Sequence, residues 1–213
     1  MMRYKYPRTP HLPWSPGATI DDVRHISLKC FEGKNIVITE KMDGENTTIY
    51  SDYLHARSID SRFHPSRSWV KSLQAQIGYQ IPEGWRICGE NLYAQHSIGY
   101  KSLPSYFLAF SVWDEQNHCL SWDESKLLFA QLGLDTPREL YVGPWDEHLV
   151  RSIVLDTEKQ EGFVVRNTDG FAFSEFSQNV AKWVRENHVL SDEHWMHKPV
   201  VPNRLKEMSD EES

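Results

Sequence analysis

No stretch of the 213-residue chain approaches the roughly 18 uninterrupted apolar residues that a membrane-spanning helix needs. The opening Met-Met-Arg-Tyr-Lys-Tyr-Pro lacks the apolar core of a secretory signal. Cysteine is scarce: Cys30, Cys88 and Cys119 cannot all pair, and they stand too far apart for a Cys-x-x-Cys metal or redox motif. These absences favour a cytoplasmic protein that meets no membrane. There is no internal repeat. Positive charge is in deficit, since 23 Lys+Arg against 30 Asp+Glu leave −7, which argues against a general nucleic-acid coat protein. What is present is 39% apolar, 25% charged and 12% aromatic residues, which excludes disordered and collagen-like classes and leaves one globular domain as the default.

The first seventeen residues hold Pro7, Pro10, Pro13 and Pro16, which predict an extended arm packed through Leu12 and Trp14. Thr19 or Asp21 then opens a predicted short helix reaching about Cys30, with its acidic residues in the first turn. β-rich runs flank Asp43-Gly44, so 35–51 reads as a hairpin. Pro65 starts a helix running to about Gly78. Strands are expected at 84–92 and 106–114, and Ser121-Trp-Asp-Glu124 is a capping box for a helix that Gly133 stops. A short helix after Pro144 and strands near 161–167, 171–175 and 180–185 follow, with Asp169-Gly170 as a second hairpin turn. Strands with inserted helices, but without regular βαβ alternation, indicate an α+β fold of largely antiparallel sheets.

The sharpest local feature is Glu40-Lys41-Met42-Asp43-Gly44-Glu45-Asn46. A lysine at a strand end, with its direction fixed by the turn that follows, can be aimed into a cleft. Its amine attacks phosphorus only when unprotonated, so it needs burial or cationic neighbours. Lys-x-Asp-Gly alone arises by composition in roughly one 200-residue chain in twenty or thirty, and a solvated hairpin lysine is its ordinary meaning. Its companions are more specific. Phe107-Leu-Ala-Phe110 is an apolar strand with aromatic faces, Glu161-Gly-Phe-Val-Val-Arg166 opens on a carboxylate, and Ala181-Lys182-Trp183-Val184-Arg185 carries two cations. This ordered set, spanning about 36–186, resembles the covalent nucleotidyltransferase superfamily of ATP-dependent polynucleotide ligases and mRNA capping enzymes. Asn46 two residues after the motif glycine, Gly89-Glu90 and Glu40 are similar to RNA ligases of the RNA ligase 2 type.

That resemblance implies a minimal single-domain nucleotidyltransferase fold of the ATP-grasp-like ligase catalytic kind, with largely antiparallel sheets and flanking helices. Its expected layout is an arm and short helix at 1–34, a catalytic domain at 35–188 and a tail at 189–213. It further implies an ATP-dependent RNA ligase that joins a 5′-phosphate end to a 3′-hydroxyl end through lysyl-AMP and an adenylylated RNA end. Its cofactors would be ATP and Mg²⁺ or Mn²⁺. Lys41 would be the nucleophile and Lys182 the cation on the α-phosphate, and Glu161 would hold the hydrated metal or the reacting lysine. Glu90 would bond the ribose hydroxyls, Arg57 would reach the ribose or the RNA end, and Phe110 would stack on adenine. Glu40 and Arg185 complete the nucleotide set, although a spacing of three puts Lys182 and Arg185 on opposite faces of a regular strand. By the same parity only one of Phe107 and Phe110 can stack, and the other belongs to the core.

Ser61-Arg62-Phe63-His64-Pro65-Ser66-Arg67-Ser68-Trp69 mixes cations with aromatics, as a nucleic-acid surface does, and makes Arg62 and Arg67 candidate RNA contacts. A loop entering a helix, with Trp69 in the core, is the other meaning of the same residues. His188, His194 and His197 lack zinc-motif spacing and read as solvated. Residues 186–213 are too few for an OB or helical substrate-gripping domain, so RNA ends would be held by the catalytic domain itself or with a partner protein. The alternatives are a DNA ligase, a GTP-using guanylyltransferase, or a nucleotide- or RNA-end-binding subunit that does not seal. The global charge is unevenly spread: Arg57, Arg62, Arg67 and Lys71 face only Asp60 within 54–71, while Asp210, Glu211 and Glu212 crowd the end.

Overall fold

The structure, a computed structural model, describes residues 2–186 and 199–206. Among these residues ten strands form two antiparallel sheets. The first has four strands in the order β10 (Val180–Val184), β8 (Gly162–Asn167), β1 (Asn35–Lys41) and β7 (Glu139–Pro144). The second has six, in the order β3 (Leu54–Ala56), β2 (Glu45–Ile49), β4 (Arg86–Asn91), β5 (Phe107–Trp113), β6 (His118–Cys119) and β9 (Phe171–Ala172). Helices α1 (Ser68–Ile77) and α2 (Trp122–Gln131) pack their apolar residues against the second sheet, in a core that includes Val70, Ile77, Ile87, Val112 and Phe129. The short α3 (Glu147–Arg151) and the N-terminal arm cover the outer face of the first sheet around Leu12, Ile36, Ile38, Val150 and Val165. The four-residue α4 (Phe176–Asn179) leads into β10.

Strand β1 shows why its sequence is an unbroken apolar run. Ile36, Val37 and Ile38 are all buried because the strand lies inside a sheet covered on both faces. Helix α2 begins at the expected capping box, with Ser121 and Glu124 bonding each other's backbone N–H groups, and Gly133 follows its end at φ 66°. The helix after Pro65 is a 3-10 turn continuing into α1.

Three expectations are corrected. Neither Asp-Gly pair closes a hairpin: β1 pairs with β7 and β8 while β2 pairs with β3 and β4, so Asp43-Gly44 carries the chain from one sheet to the other. Asp169-Gly170 does the same between β8 and β9. The glycines are needed for close approach, since a Cβ on Gly44 would lie 2.5 Å from the Asn91 carbonyl oxygen and one on Gly170 would lie 2.8 Å from that of Cys119. Nor does 19–30 form a helix beyond a single 3-10 turn at Lys29–Phe31. The Thr19 amide and hydroxyl both bond Asp22 at 2.9 Å in a local turn, and Ile20 and Ile26 are exposed, leaving no apolar face to dock. Within the expected strand 171–175 only Phe171–Ala172 is extended, and 173–175 is a 3-10 turn.

Candidate active site

The pairing registers set three rows across the inner face of the first sheet: Lys41, Gly162 and Val184; Thr39, Val164 and Lys182; Val37, Arg166 and Val180. The period of two then sends Lys41, Lys182 and Arg166 to one side. Opposite them, the second sheet presents Asn46, Glu90 and Phe110, and the space between is a cavity of about 410 Å³.

Each residue of the nucleophile motif has its own anchor. Met42 is buried against Leu92, Leu103 and Leu108, which fixes where β1 ends and turns Lys41 inward. Asp43 does not face the cavity; it accepts bonds of 2.7 Å from the Ser97 and Ile98 amides and from the Ser97 hydroxyl. The Asp43 amide in turn donates to the Tyr100 hydroxyl at 2.9 Å. Lys41 Nζ sits 2.5 Å from Glu161 Oε2, with its side chain 23% exposed. Burial alone would lower the pKa of Lys41, but Glu161, Glu90 and Asp43 outweigh it and hold the ammonium above its ordinary value. The lysine therefore rests protonated and ion-paired, contrary to the expectation that burial or cationic neighbours lower its pKa. Its neighbours are shifted toward their neutral forms. Burial, with the charges of Glu161 and Asp43 against that of Lys41, pushes Glu90 up to about 8. Burial and the nearby Lys41 charge bring Lys182 down to about 8.

The other expected residues divide. Glu40 lines the cavity and pairs with Arg138 at 3.5 Å, and Arg57 lines it just after β3. Phe110 is on the cavity wall while Phe107 is fully buried in the core. A bulge places Phe110: Cys88 faces Ser111 and Gly89 faces Ala109, leaving Phe110 as the extra residue. Arg185 is turned away from the cavity, and its guanidinium donates to the Ser97 hydroxyl at 3.1 Å, so it supports the loop that holds Asp43 rather than lining the nucleotide space. Arg67 is likewise no free cation. It is 8% exposed and forks onto both carboxylate oxygens of Glu45, while Arg62 lies exposed. His188, His194 and His197 fall outside the described residues.

Several cavity residues were not anticipated. The N-terminal arm runs beside β10, with the Leu12 amide on the Lys182 carbonyl at 2.8 Å and the Lys182 amide on that of Pro10 at 2.9 Å. It thereby brings Tyr6, Arg8 and Asp22 to the wall. Tyr6 meets Phe110 edge to face at 5.4 Å. Arg166, 6% exposed, donates to the carbonyls of Phe110 and Leu120. Strand alternation from Gly162 could have placed Arg166, but nothing in the sequence locates the arm.

A cleft that gathers an ion-paired lysine, a second partly neutralised lysine, carboxylates and an aromatic wall is suited to a nucleotide. Residues 34–184 match the RNA ligase family, which is most of the chain. The chain belongs to the RNA ligase family. The fold agrees with those of solved RNA ligases. An archaeal ATP-dependent RNA ligase aligns over 84% of this chain and 48% of its own at 17% identity, with a TM-score of 0.55. Naegleria gruberi RNA ligase with PPi aligns over 74% and 51% at 18% identity, with a TM-score of 0.56. A mutant of the Naegleria ligase with AMP and Mn gives 74% and 51% at 14% identity, with a TM-score of 0.53. This RNA ligase family chain thus spans about half the length of the solved structures it matches. No curated protein matches it. Among the described residues no helix is long and apolar enough to cross a membrane.

Among the described residues no three His, Cys, Asp or Glu side chains are grouped to hold a metal ion. The donor set therefore does not fit an all-protein cage. A hydrated Mg²⁺ or Mn²⁺ would instead draw most of its ligands from water and phosphate, and the Glu161 carboxylate beside Lys41 would be the hard oxygen that holds it.

Proposed function

We propose that this chain is an ATP-dependent RNA ligase that works through a lysyl-AMP intermediate. The observation that carries the reading is Lys41 on the wall of a cavity shared with Lys182, Glu90 and Phe110 and held by Glu161 at 2.5 Å, in a member of the RNA ligase family. In this reading Lys41 Nζ loses its proton and forms a bond to the α-phosphorus of ATP as the bond to pyrophosphate breaks. An oxygen of an RNA 5′-phosphate then displaces the lysine from the AMP phosphorus, and a 3′-hydroxyl displaces AMP from the activated end to close the phosphodiester. Lys182 neutralises charge on the α-phosphate, and Phe110 and Val164 bound the base from opposite walls. Glu161 holds Lys41 in place, and its carboxylate would also hold the divalent ion, which supplies positive charge to the phosphate oxygens. Glu90, kept neutral by its surroundings at pH 7, can donate as well as accept a hydrogen bond at the sugar. The three unpaired cysteines fit a reducing, cytoplasmic setting.

The test is incubation of the full chain with α-labelled ATP and Mg²⁺. A labelled protein adduct is expected, absent in Lys41→Ala, followed by joined product when 5′-phosphate and 3′-hydroxyl RNA ends are supplied. An adduct that persists in Lys41→Ala would refute the reading.

A further inference from the structure

Of the nine phenylalanines, Phe63 alone lies exposed, with 70% of its surface in water. It is not on a loose segment. The loop that carries it is fixed at both ends: the Ala56 amide donates to the Ser61 hydroxyl at 3.0 Å, and the Ser61 amide donates to the Ser58 carbonyl at 3.2 Å. The buried Arg67 grips Glu45 and the carbonyl of Arg62 together, and His64 caps the turn that follows. A ring held outward by a buried ion pair has forgone burial for an exposed position. Around it the charge is positive: Lys71 Nζ lies 5.6 Å from the ring centroid and Arg62 is exposed beside it. With Arg67 neutralised by Glu45, the exposed cations of this stretch are Arg62 and Lys71, against Asp60, in a chain of net −7. The same loop begins at Arg57, on the cavity wall.

We propose that the 58–64 loop and the start of α1 form a landing surface for single-stranded RNA next to the nucleotide cavity. Phe63 stacks under one base, Arg62 and Lys71 meet the flanking phosphates, and Arg57 leads the strand toward the reacting centre. This inference rests on the RNA-ligase reading of the cavity. An exposed aromatic between two cations takes a base on its π-face and the backbone on its charges, with little preference for sequence. A polyanion also finds here a positive island on an otherwise acidic chain. Arg67 is scaffold in this scheme: it shapes the surface and does not touch RNA.

The experiment measures binding of a 5′-phosphorylated, fluorescein-labelled single-stranded RNA, about a dozen nucleotides long, to the full chain by anisotropy over a range of KCl. Phe63→Ala is expected to weaken binding about tenfold, and Phe63→Trp to restore it. Lys71→Gln and Arg62→Gln are each expected to reduce the slope of log affinity against log salt by roughly 0.7. Formation of lysyl-AMP from ATP, which needs no RNA, reports that each variant is folded. Unchanged RNA affinity in Phe63→Ala overturns the proposal, as does an unaltered chain that forms lysyl-AMP but binds no RNA, an outcome that would give this surface to a protein partner. Failure of the ligase reading looks different: the unaltered chain would form no lysyl-AMP, whatever Phe63 does.

Discussion

Lys182 and Glu90 face the same cavity, and each is moved to about 8 from opposite directions. Raising the pH through that value takes Lys182 from positive to neutral and Glu90 from neutral to negative, so the cavity loses two units of positive charge over one narrow range. ATP, a polyanion, should therefore bind well below pH 8 and weaken steeply above it. Titration calorimetry between pH 7 and pH 9 measures this, and the double variant Glu90→Gln with Lys182→Arg, neutral and cationic throughout, should flatten the profile. An unaltered chain with a flat profile would show that neither group titrates there. Glu90 has a further consequence for stability. Its carboxyl holds its proton more tightly when folded than the ordinary carboxylate does, so the folded state binds more protons between about 4.5 and 8 and stability falls as the pH rises through that window. Glu90→Gln removes this dependence, and it should raise the melting temperature at pH 8 more than at pH 5. In the proposed reaction Lys41 has the opposite need, because its raised pKa must be overcome before attack. Glu161→Gln takes away the first carboxylate that holds the proton; it should lower the alkaline limb of the adenylylation pH profile while reducing the maximal rate.

At the scale of elements, each strand end that matters is fixed by a neighbour distant in sequence. The loop 92–106 holds Asp43, and that loop is itself tied down by Asn203. Asn203 Nδ2 donates to the Leu92 carbonyl at 2.7 Å and to that of Ala94 at 3.3 Å, while its Oδ1 accepts from the Tyr100 amide at 2.8 Å. Asn203 is 2% exposed, so Asn203→Ala leaves two buried backbone carbonyls and the part-buried Tyr100 amide without this partner. The expected cost is about 2–4 kcal/mol in chemical denaturation, accompanied by slower lysyl-AMP formation as Asp43 loses its footing. Such long-range stitching marks where the sequence was legible. Helix α2 could be read because the Ser121–Glu124 box and Gly133 act within their own turns. Strands β1, β4, β5, β8 and β10 could be read from β-branched and aromatic runs, while it is the family resemblance that singles out Lys41, Glu90, Phe110, Glu161 and Lys182 on or beside them. The two Asp-Gly pairs misled because the sequence reports a reversal but not the strand that receives it, and here each delivers the chain to another sheet. Strand β7 was invisible because Gly143-Pro144 ends it and its residues are half solvated. Arg67 and Arg185 read as free cations because Glu45 and Ser97, which engage them, lie 22 and 88 residues away.

For the molecule as a whole, the arm changes what the two sheets can do. Without it, β10 would be the open edge of the first sheet, with its amides and carbonyls facing water and Lys182 on a fraying strand. The arm closes that edge through Pro10, Leu12, Ser15 and Gly17, all bonded to Lys182 or Val184. It then folds back so that the His11 amide reaches the Val23 carbonyl at 2.7 Å and the His25 amide the His11 carbonyl at 2.8 Å. One continuous piece thus guards an edge and supplies a wall. These tasks can be separated, because edge pairing begins at Pro10 and the wall residues Tyr6 and Arg8 precede it. A chain lacking residues 2–9 should keep its sheets, as far-ultraviolet circular dichroism would show, while losing the aromatic contacts of Tyr6 with Phe110 and Phe176. Tyr6 is partly buried, so its loss costs less than the roughly 3–5 kcal/mol of a fully buried aromatic, and a measurable drop in melting temperature is expected. ATP affinity should fall by at least about tenfold, because Phe110 loses the ring that holds it and the cavity opens to solvent on that side. A longer deletion through Gly17 should go further and abolish soluble folded protein, since it exposes β10 as well. If the shorter deletion bound ATP as tightly as the full chain, the arm would be an edge cover alone, and the nucleotide site would belong entirely to the two sheets.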